Sequence, residues 1–321
     1  MKQTARRTRK TIIYTLVLLS TIFSSTVYAE DNALLRIAVL PIPDILPIYV
    51  AEENGYFSDL GINVEILTIG SAVERDQLMQ ASRIDGMLNE IGGAALFNRE
   101  KQRLRIISYA RIPLQDAPLF RILAAPKSGI TQVSELQDVA IAVSKNTVIE
   151  YITRRLLEQQ GIAAKNIKFA SVPVLPERMQ LLLAGQIKAA TLPDPLGFAA
   201  IQAGAAEIIN DLRLPELSAS VLSFSQEAVS GKSETIQKFI IAWNKAAEDL
   251  NADPETYRPL MLKKIRVPKH VQQSFTIPQY PTGKVPTQKQ WDDVNEWLVA
   301  QGLLKKAVDY QISVTDEFVT R

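Results

Sequence analysis

The chemistry this chain of 321 residues offers lies in polar residues that directly follow apolar runs. Asp44 closes Leu40-Pro41-Ile42-Pro43-Asp44, Asn89 and Glu90 end a second run, and Asp194 stands within Pro193-Asp194-Pro195 after a third. An unpaired charge is costly to bury, so such residues are poor core material and good hydrogen-bonding groups. Asn89, Glu90 and Asp194 are therefore candidates for ligand contact or for bonds between domains, and Pro41, Pro43 and Pro195, in the same strand-end loops, are candidates for ligand contact beside them. Asp44 has two readings: it caps the helix that runs to Asn54, or it faces a ligand. Arg111, after the run Arg105 to Ala110, either holds a carboxylate or sulfonate in its planar fork or pairs with Asp116. Ser144, Asn146 and Thr147 precede a helix, whose free amides and positive dipole end favour an anionic or accepting ligand group. Ser71 and Glu74 read as a capping box, with ligand contact as the competing reading for Ser71.

Catalytic chemistry is scarcer. The chain has no cysteine and one histidine, His270, which excludes thiol nucleophiles, iron-sulfur ligation and His-rich zinc sites. It lacks a P-loop, a Gly-x-Ser-x-Gly elbow, a Gly-x-Gly-x-x-Gly turn and a His-Glu-x-x-His pair. No enzyme activity, cofactor or metal is expected, and His270 is expected at the surface. With 36 basic and 34 acidic residues the formal charge is +2, too little surplus for a nucleic-acid partner.

The elements that must position the polar residues come from an internal repeat. Glu74-Arg75-x-Gln77-Leu78-x-x-Ala81-x-x-Ile84 recurs as Glu177-Arg178-x-Gln180-Leu181-x-x-Ala184-x-x-Ile187 at an offset of 103. Each copy opens with an apolar strand (Leu35 to Leu40; Val139 to Val143) and a helix ending near Gly55 or Gly161, where glycine suits a left-handed cap. A second strand (Asn63 to Thr68; Asn166 to Ser171), a second helix (Ala72 to Ser82; Glu177 to Leu183) and a third strand (Asp85 to Asn89; Lys188 to Leu192) follow. This alternation predicts mostly parallel sheets flanked by helices, hence two similar α/β lobes. In such sheets ligands sit beyond the carboxyl ends of the strands. If the lobes face one another, the candidates above line one cleft.

Val221 to Ser225 reads as a strand carrying the chain back to the first lobe. Helices over Thr235 to Leu250 and Gln288 to Leu304 are expected to pad that lobe, and the proline-bearing stretch Val267 to Pro286 to lie on the surface as an extended loop. The expected division is residues 30–115 and 222–321 in one lobe and 116–221 in the other, with crossings near Ile112 to Leu123 and Arg213 to Ser223.

The first 29 residues read as a secretory signal: five cations between Lys2 and Lys10, an apolar stretch from Thr11 to Phe23, and Val27-Tyr28-Ala29 before the cleavage point. Cleavage takes the formal charge from +2 to −3. No cysteine is available for a lipid anchor, so a free periplasmic protein without a membrane anchor is expected.

The run from Leu46 to Phe57, Leu-Pro-Ile-Tyr-Val-Ala-Glu-Glu-Asn-Gly-Tyr-Phe, followed by Leu60-Gly61-Ile62-Asn63-Val64-Glu65, resembles the opening of a group of ABC-importer solute-binding proteins. This group takes sulfonates, nitrate, taurine and thiamine-pyrimidine precursors and is called NMT1/THI5-like. Leu183-Ala184-Gly185-Gln186-Ile187-Lys188-Ala189-Ala190 with Pro193-Asp194-Pro195 is similar to it too. Arg83 and Lys188 depart from the group's usual glycine and acid. The resemblance implies a two-lobed periplasmic-binding-protein fold of type II. The implied function is capture of a small molecule by a monomer and its delivery to a membrane permease driven by an ATPase. Asp44, Glu90 and Asp194 in the cleft point to a ligand with an amino or ring-nitrogen donor rather than a simple oxyanion. A sensory protein that presents its closed form to a receptor would bind in the same way. An enzyme of thiamine-pyrimidine synthesis shares the fold, but the histidine and cysteine clusters of such enzymes are missing here.

Overall fold

The computed structural model describes residues 34–319; the signal-peptide reading lies outside them. Among these residues ten strands are formed, β1 (Leu34–Val39), β2 (Asn63–Thr68), β3 (Gly86–Glu90), β4 (Leu104–Arg111), β5 (Phe120–Ala124), β6 (Ala140–Val143), β7 (Lys168–Ser171), β8 (Ala189–Pro193), β9 (Ala206–Asn210) and β10 (Ser220–Ser225). They fall into two sheets of the same plan, β2-β1-β3-β10-β4 and β7-β6-β8-β5-β9. In each, the first three strands are parallel, and one strand, β10 or β5, runs antiparallel to both its neighbours. The result is an α/β protein of two lobes. The chain passes between sheets twice, over 112–119 and 211–219.

The helices are α1 (Leu46–Glu53), α2 (Tyr56–Asp59), α3 (Ala72–Gln80), α4 (Ile91–Phe97), α5 (Val148–Gln159), α6 (Leu175–Leu183), α7 (Leu196–Gln202), α8 (Gln226–Gly231), α9 (Ser233–Ala252), α10 (Arg258–Lys264) and α11 (Gln288–Ala300). Helical periodicity finds the long ones. In α9, Ile236, Phe239, Ile240, Trp243, Ala247 and Leu250 recur at three- and four-residue steps and are all buried. That face lies on α1 and the first sheet, with Phe239 packed 5.7 Å from Phe57 and 5.6 Å from Phe224 between ring centres. Burial of side chains of this size contributes about 2 kcal/mol each.

Two expectations about the last hundred residues are corrected. The proline-bearing stretch is not merely laid on the surface: Val271, Phe275, Ile277 and Tyr280 are buried in the core of the first lobe. Prolines keep the backbone extended there, while apolar side chains between them turn inward. Nor does α11 pad the first lobe alone. Trp291, Val294, Trp297 and Leu298 share one apolar cluster with Ile91 and Ala94 of α4 and with Ile149, Tyr151 and Ile152 of α5, so this helix touches both lobes.

Candidate functional site

At the carboxyl ends of the strands the lobes meet. Glu90, the last residue of β3, is partly buried, and its Oε2 accepts a hydrogen bond at 3.4 Å from the backbone N–H of Val148, the first residue of α5 in the other lobe. Desolvation raises the Glu90 carboxyl above its ordinary pKa, against the attraction of Arg75 and the Val148 amide.

The other carboxylates are neutralised inside their own lobes. Asp44 sits buried in the 3-10 turn Pro43–Ile45 and pairs with Arg111, Oδ1 to Nη1, at 3.2 Å. Its side chain caps no helix, because α1 begins only after Ile45. Arg111 therefore takes Asp44 rather than Asp116 as its partner, and donates as well to the Pro118 carbonyl at 2.9 Å. Pro43 and Pro41 present carbonyls to Tyr280 Oη (2.7 Å) and the Arg266 amide (3.1 Å), which ties this loop to the proline-bearing stretch. In the second lobe Asp194, buried beside Pro195, receives Nε and Nη2 of Arg121 at 2.8 and 2.9 Å and caps α7 through the Phe198 amide at 3.0 Å.

Ser71 accepts from the Glu74 amide at 3.2 Å, while the Glu74 carboxylate accepts from the Gly70 amide at 2.9 Å: an N-cap reinforced from one residue further back. Thr147 caps α5 by accepting from the Ile149 amide at 3.2 Å and donates to the Ser144 carbonyl at 2.8 Å. Asn146 is exposed and takes a left-handed backbone, φ 63°, a conformation asparagine tolerates. The Ser144 hydroxyl accepts from Arg178 Nη2 at 2.5 Å. Asn89 is fully buried, and neither amide atom has a partner among the described residues.

Three residues outside the candidate set matter as much. Arg178 is fully buried, with no carboxylate at ion-pair distance among the described residues, and burial lowers its pKa to about 10. Its signal in the sequence is the repeat, whose two copies share Glu-Arg-x-Gln-Leu. Asp211 at the head of the second crossing accepts from the Leu119 and Phe120 amides at the end of the first, at 3.0 and 3.2 Å, and burial pushes it up to about 7. It stitches the two crossings together, a role set by residues 91 and 92 positions away and invisible locally. His270 is exposed, and its Nε2 lies 3.2 Å from the Ala199 carbonyl of α7, while Phe275 meets Phe198 edge to face at 5.9 Å. The proline-bearing stretch of the first lobe thus touches the second.

The arrangement has the parts for holding a small polar molecule: two sets of strand-end loops, a helix N-terminus, and Glu90, which of the three carboxylates Asp44, Glu90 and Asp194 is the one not ion-paired. No group of three or more metal-ligating side chains occurs among the described residues, and none of their helices is long and apolar enough to cross a membrane.

Solved structures of the same fold include the periplasmic aliphatic sulphonate binding protein SsuA from Escherichia coli, at 16% identity and a TM-score of 0.74, covering 88% of this chain and 92% of that one. The ligand binding component of an ABC-type import system from Staphylococcus aureus matches at 14% identity and a TM-score of 0.73, over 90% and 98% of the two chains. The desulfurization enzyme DszB also matches, at 16% identity and a TM-score of 0.64, over 89% and 97%. No match was found among curated protein sequences. The model of the family described as NMT1/THI5 like matches residues 42–257. That span is well over half of the sequence, and the chain belongs to the NMT1/THI5-like family.

Proposed function

We propose that this protein is the solute-binding component of an ABC importer, a periplasmic monomer freed by cleavage after Ala29. It captures a small polar organic molecule between its lobes and hands it to a membrane permease driven by an ATPase. The chain up to about residue 115 and from β10 onward forms one lobe and the stretch between them the other. The second boundary lies two residues earlier than the pattern implied because β10 starts at Ser220, and closure is a hinge motion about the two crossings. The ligand favours the closed form because only there do both lobes contact it.

The observation that carries this reading is Glu90 reaching from one set of strand ends to the Val148 amide of the other. It also bears on the ligand. Asp44 and Asp194 are held by arginines, which leaves Glu90 as the carboxylate free to receive a donor, so we assign the ligand an amino or ring-nitrogen group. Asn89, beside it, supplies an unused donor and acceptor. Ser71, Ser144, Asn146 and Thr147 line the loops around it.

A thermal-unfolding screen of residues 30–321, stripped of ligand by unfolding and refolding, tests this against aminopyrimidines, amino acids, polyamines, nucleobases, sulfonates and nitrate. A true ligand at 100 times its dissociation constant adds about 2.7 kcal/mol and raises the midpoint by several degrees. The expected result is a shift from a nitrogen donor that Glu90→Gln abolishes. A shift from sulfonates alone would overturn the ligand assignment and keep the capture role. Sulfonate is the second reading, favoured by the buried cation Arg178 behind Ser144.

A further inference from the structure

Outside the cleft, α11 reaches from the first lobe to the flank of α5, the helix whose N-terminal amide meets Glu90. Its place in the first lobe is secured by the chain around it. Val294 and Leu298 pack over Gly92 of α4, at 3.6 and 3.9 Å from where a Cβ would stand. The segment after α11 is held to it by Trp291 Nε1, which donates to the Val308 carbonyl at 2.8 Å. That segment then joins β4, through Ile106 N–H to the Ser313 carbonyl at 2.8 Å.

Toward the second lobe α11 presents Asp293. Its Oδ1 accepts from the Tyr151 hydroxyl at 2.7 Å and from Arg155 Nε at 2.9 Å, two residues one helical turn apart on α5. The Tyr151 ring meets Trp297 edge to face at 5.4 Å, and the Arg155 guanidinium lies 5.7 Å from the centre of that same tyrosine ring. Burial, together with the Asp293 carboxylate, keeps the Tyr151 hydroxyl protonated. A shared, charge-assisted acceptor of this kind is directional and tears when its two helices slide apart. The hinge leaves room for such sliding: the crossings and the start of α11 wall a groove of about 510 Å³, among them Leu114, Leu212 and Gln290.

We propose that α11 is a clasp between the lobes. Asp293, gripping Tyr151 and Arg155, is a positioning residue that holds α5, and with it the amide end of the cleft, against the first lobe. The free protein is thereby biased toward closure before any ligand arrives. The inference rests on the two-lobed hinge reading but not on the identity of the ligand.

The absence of native cysteine makes the test direct. Val73→Cys and Val174→Cys place one dye on an exposed site of each lobe, at the starts of α3 and α6, where the native side chains are 67% and 54% exposed. Single-molecule energy transfer then reads the distance across the cleft in the ligand-free protein. Asp293→Asn and Tyr151→Phe should each raise the long-distance population at least fivefold, with Glu234→Gln, on the exposed side of α9, as the unaffected control. Tyr151→Phe removes one hydroxyl and keeps the ring on Trp297, so it remains informative if Asp293→Asn folds poorly. Unchanged distances in both variants, or loss of cooperative unfolding in both, would overturn the clasp. Failure of the ligand screen with lengthened distances would instead sink the capture reading and leave the clasp standing.

Discussion

Arg75 in the first lobe and Arg178 in the second occupy the same place in the repeated plan, and each donates through Nη1 to a third-strand carbonyl, Leu88 at 3.1 Å and Thr191 at 2.7 Å. They differ in what balances the charge. Arg75 has the Asp76 carboxylate 2.8 Å from its Nε. The position matching Asp76 is Met179, so Arg178 relies on neutral acceptors alone, the Val172 and Thr191 carbonyls and the Ser144 hydroxyl. Asp211 shows the opposite case at the hinge, a buried carboxylate held by amides rather than by an ion pair. The two copies share the hydrogen bond that pins the strand but differ in charge balance, which gives the second lobe a cationic floor beneath Ser144.

The largest expected difference comes from removing the two arginines. Arg178→Met strips three acceptors of charge-assisted donors worth about 1.5–3 kcal/mol each, offset by relief of a desolvated charge, for a net cost of about 3 kcal/mol. Arg75→Met, with a half-exposed partner, should cost about 1–2 kcal/mol. Urea unfolding of both variants measures this, and equal costs would break the comparison.

Asp211 sharpens it through pH. Its folded pKa of about 7 lies above the ordinary 3.8, so the native state binds the extra proton. Its contribution to stability is fully present below pH 3.8 and is lost as the pH rises through about 7, at a slope on the order of 1 kcal/mol per pH unit. Asp211→Asn should flatten this part of the stability profile; a slope that persists in the variant would place its origin elsewhere.

The smallest effect concerns the caps. Ser71→Ala and Thr147→Ala each remove one acceptor at the start of α3 and α5, for about 1 kcal/mol apiece. Thr147→Ala should be slightly the costlier because its bond to the Ser144 carbonyl goes too, and calorimetric midpoints would resolve the pair.

The repeat made the parallel half of each sheet legible. Asn63–Thr68 forms a strand with the limits its pattern implies, and β1, β3, β6 and β8 lie within about two residues of theirs. The antiparallel strand β5 and the edge strand β9 escaped notice because five residues are too few for periodicity to separate from a loop. Helix α4 was hidden by Gly92 and Gly93, which weaken any helical signal. Placing polar residues at strand ends singled out Glu90, which reaches the Val148 amide of the other lobe, but it gave no means of seeing that Asp44 and Arg111, 67 positions apart, would neutralise each other. The Asp293 grip spans 138 and 142 positions and follows from packing alone.

The strand order carries one more implication, for how the chain assembles. The second sheet is drawn from an unbroken stretch, residues 120–210, whereas the first places β10, made after all of these, at an inner position between β3 and β4. Its outer strand β4 is then edged by Val314, bridged to Ile106 from far along the chain. Contacts so distant in sequence form slowly, since the intervening loop must be closed first. During synthesis the second lobe can therefore complete itself while β3 and β4 wait with unpaired edges, the condition in which strands find wrong partners. The segment that bridges β4 through Val314, more than two hundred positions further along, is the one that seals this edge of the first lobe.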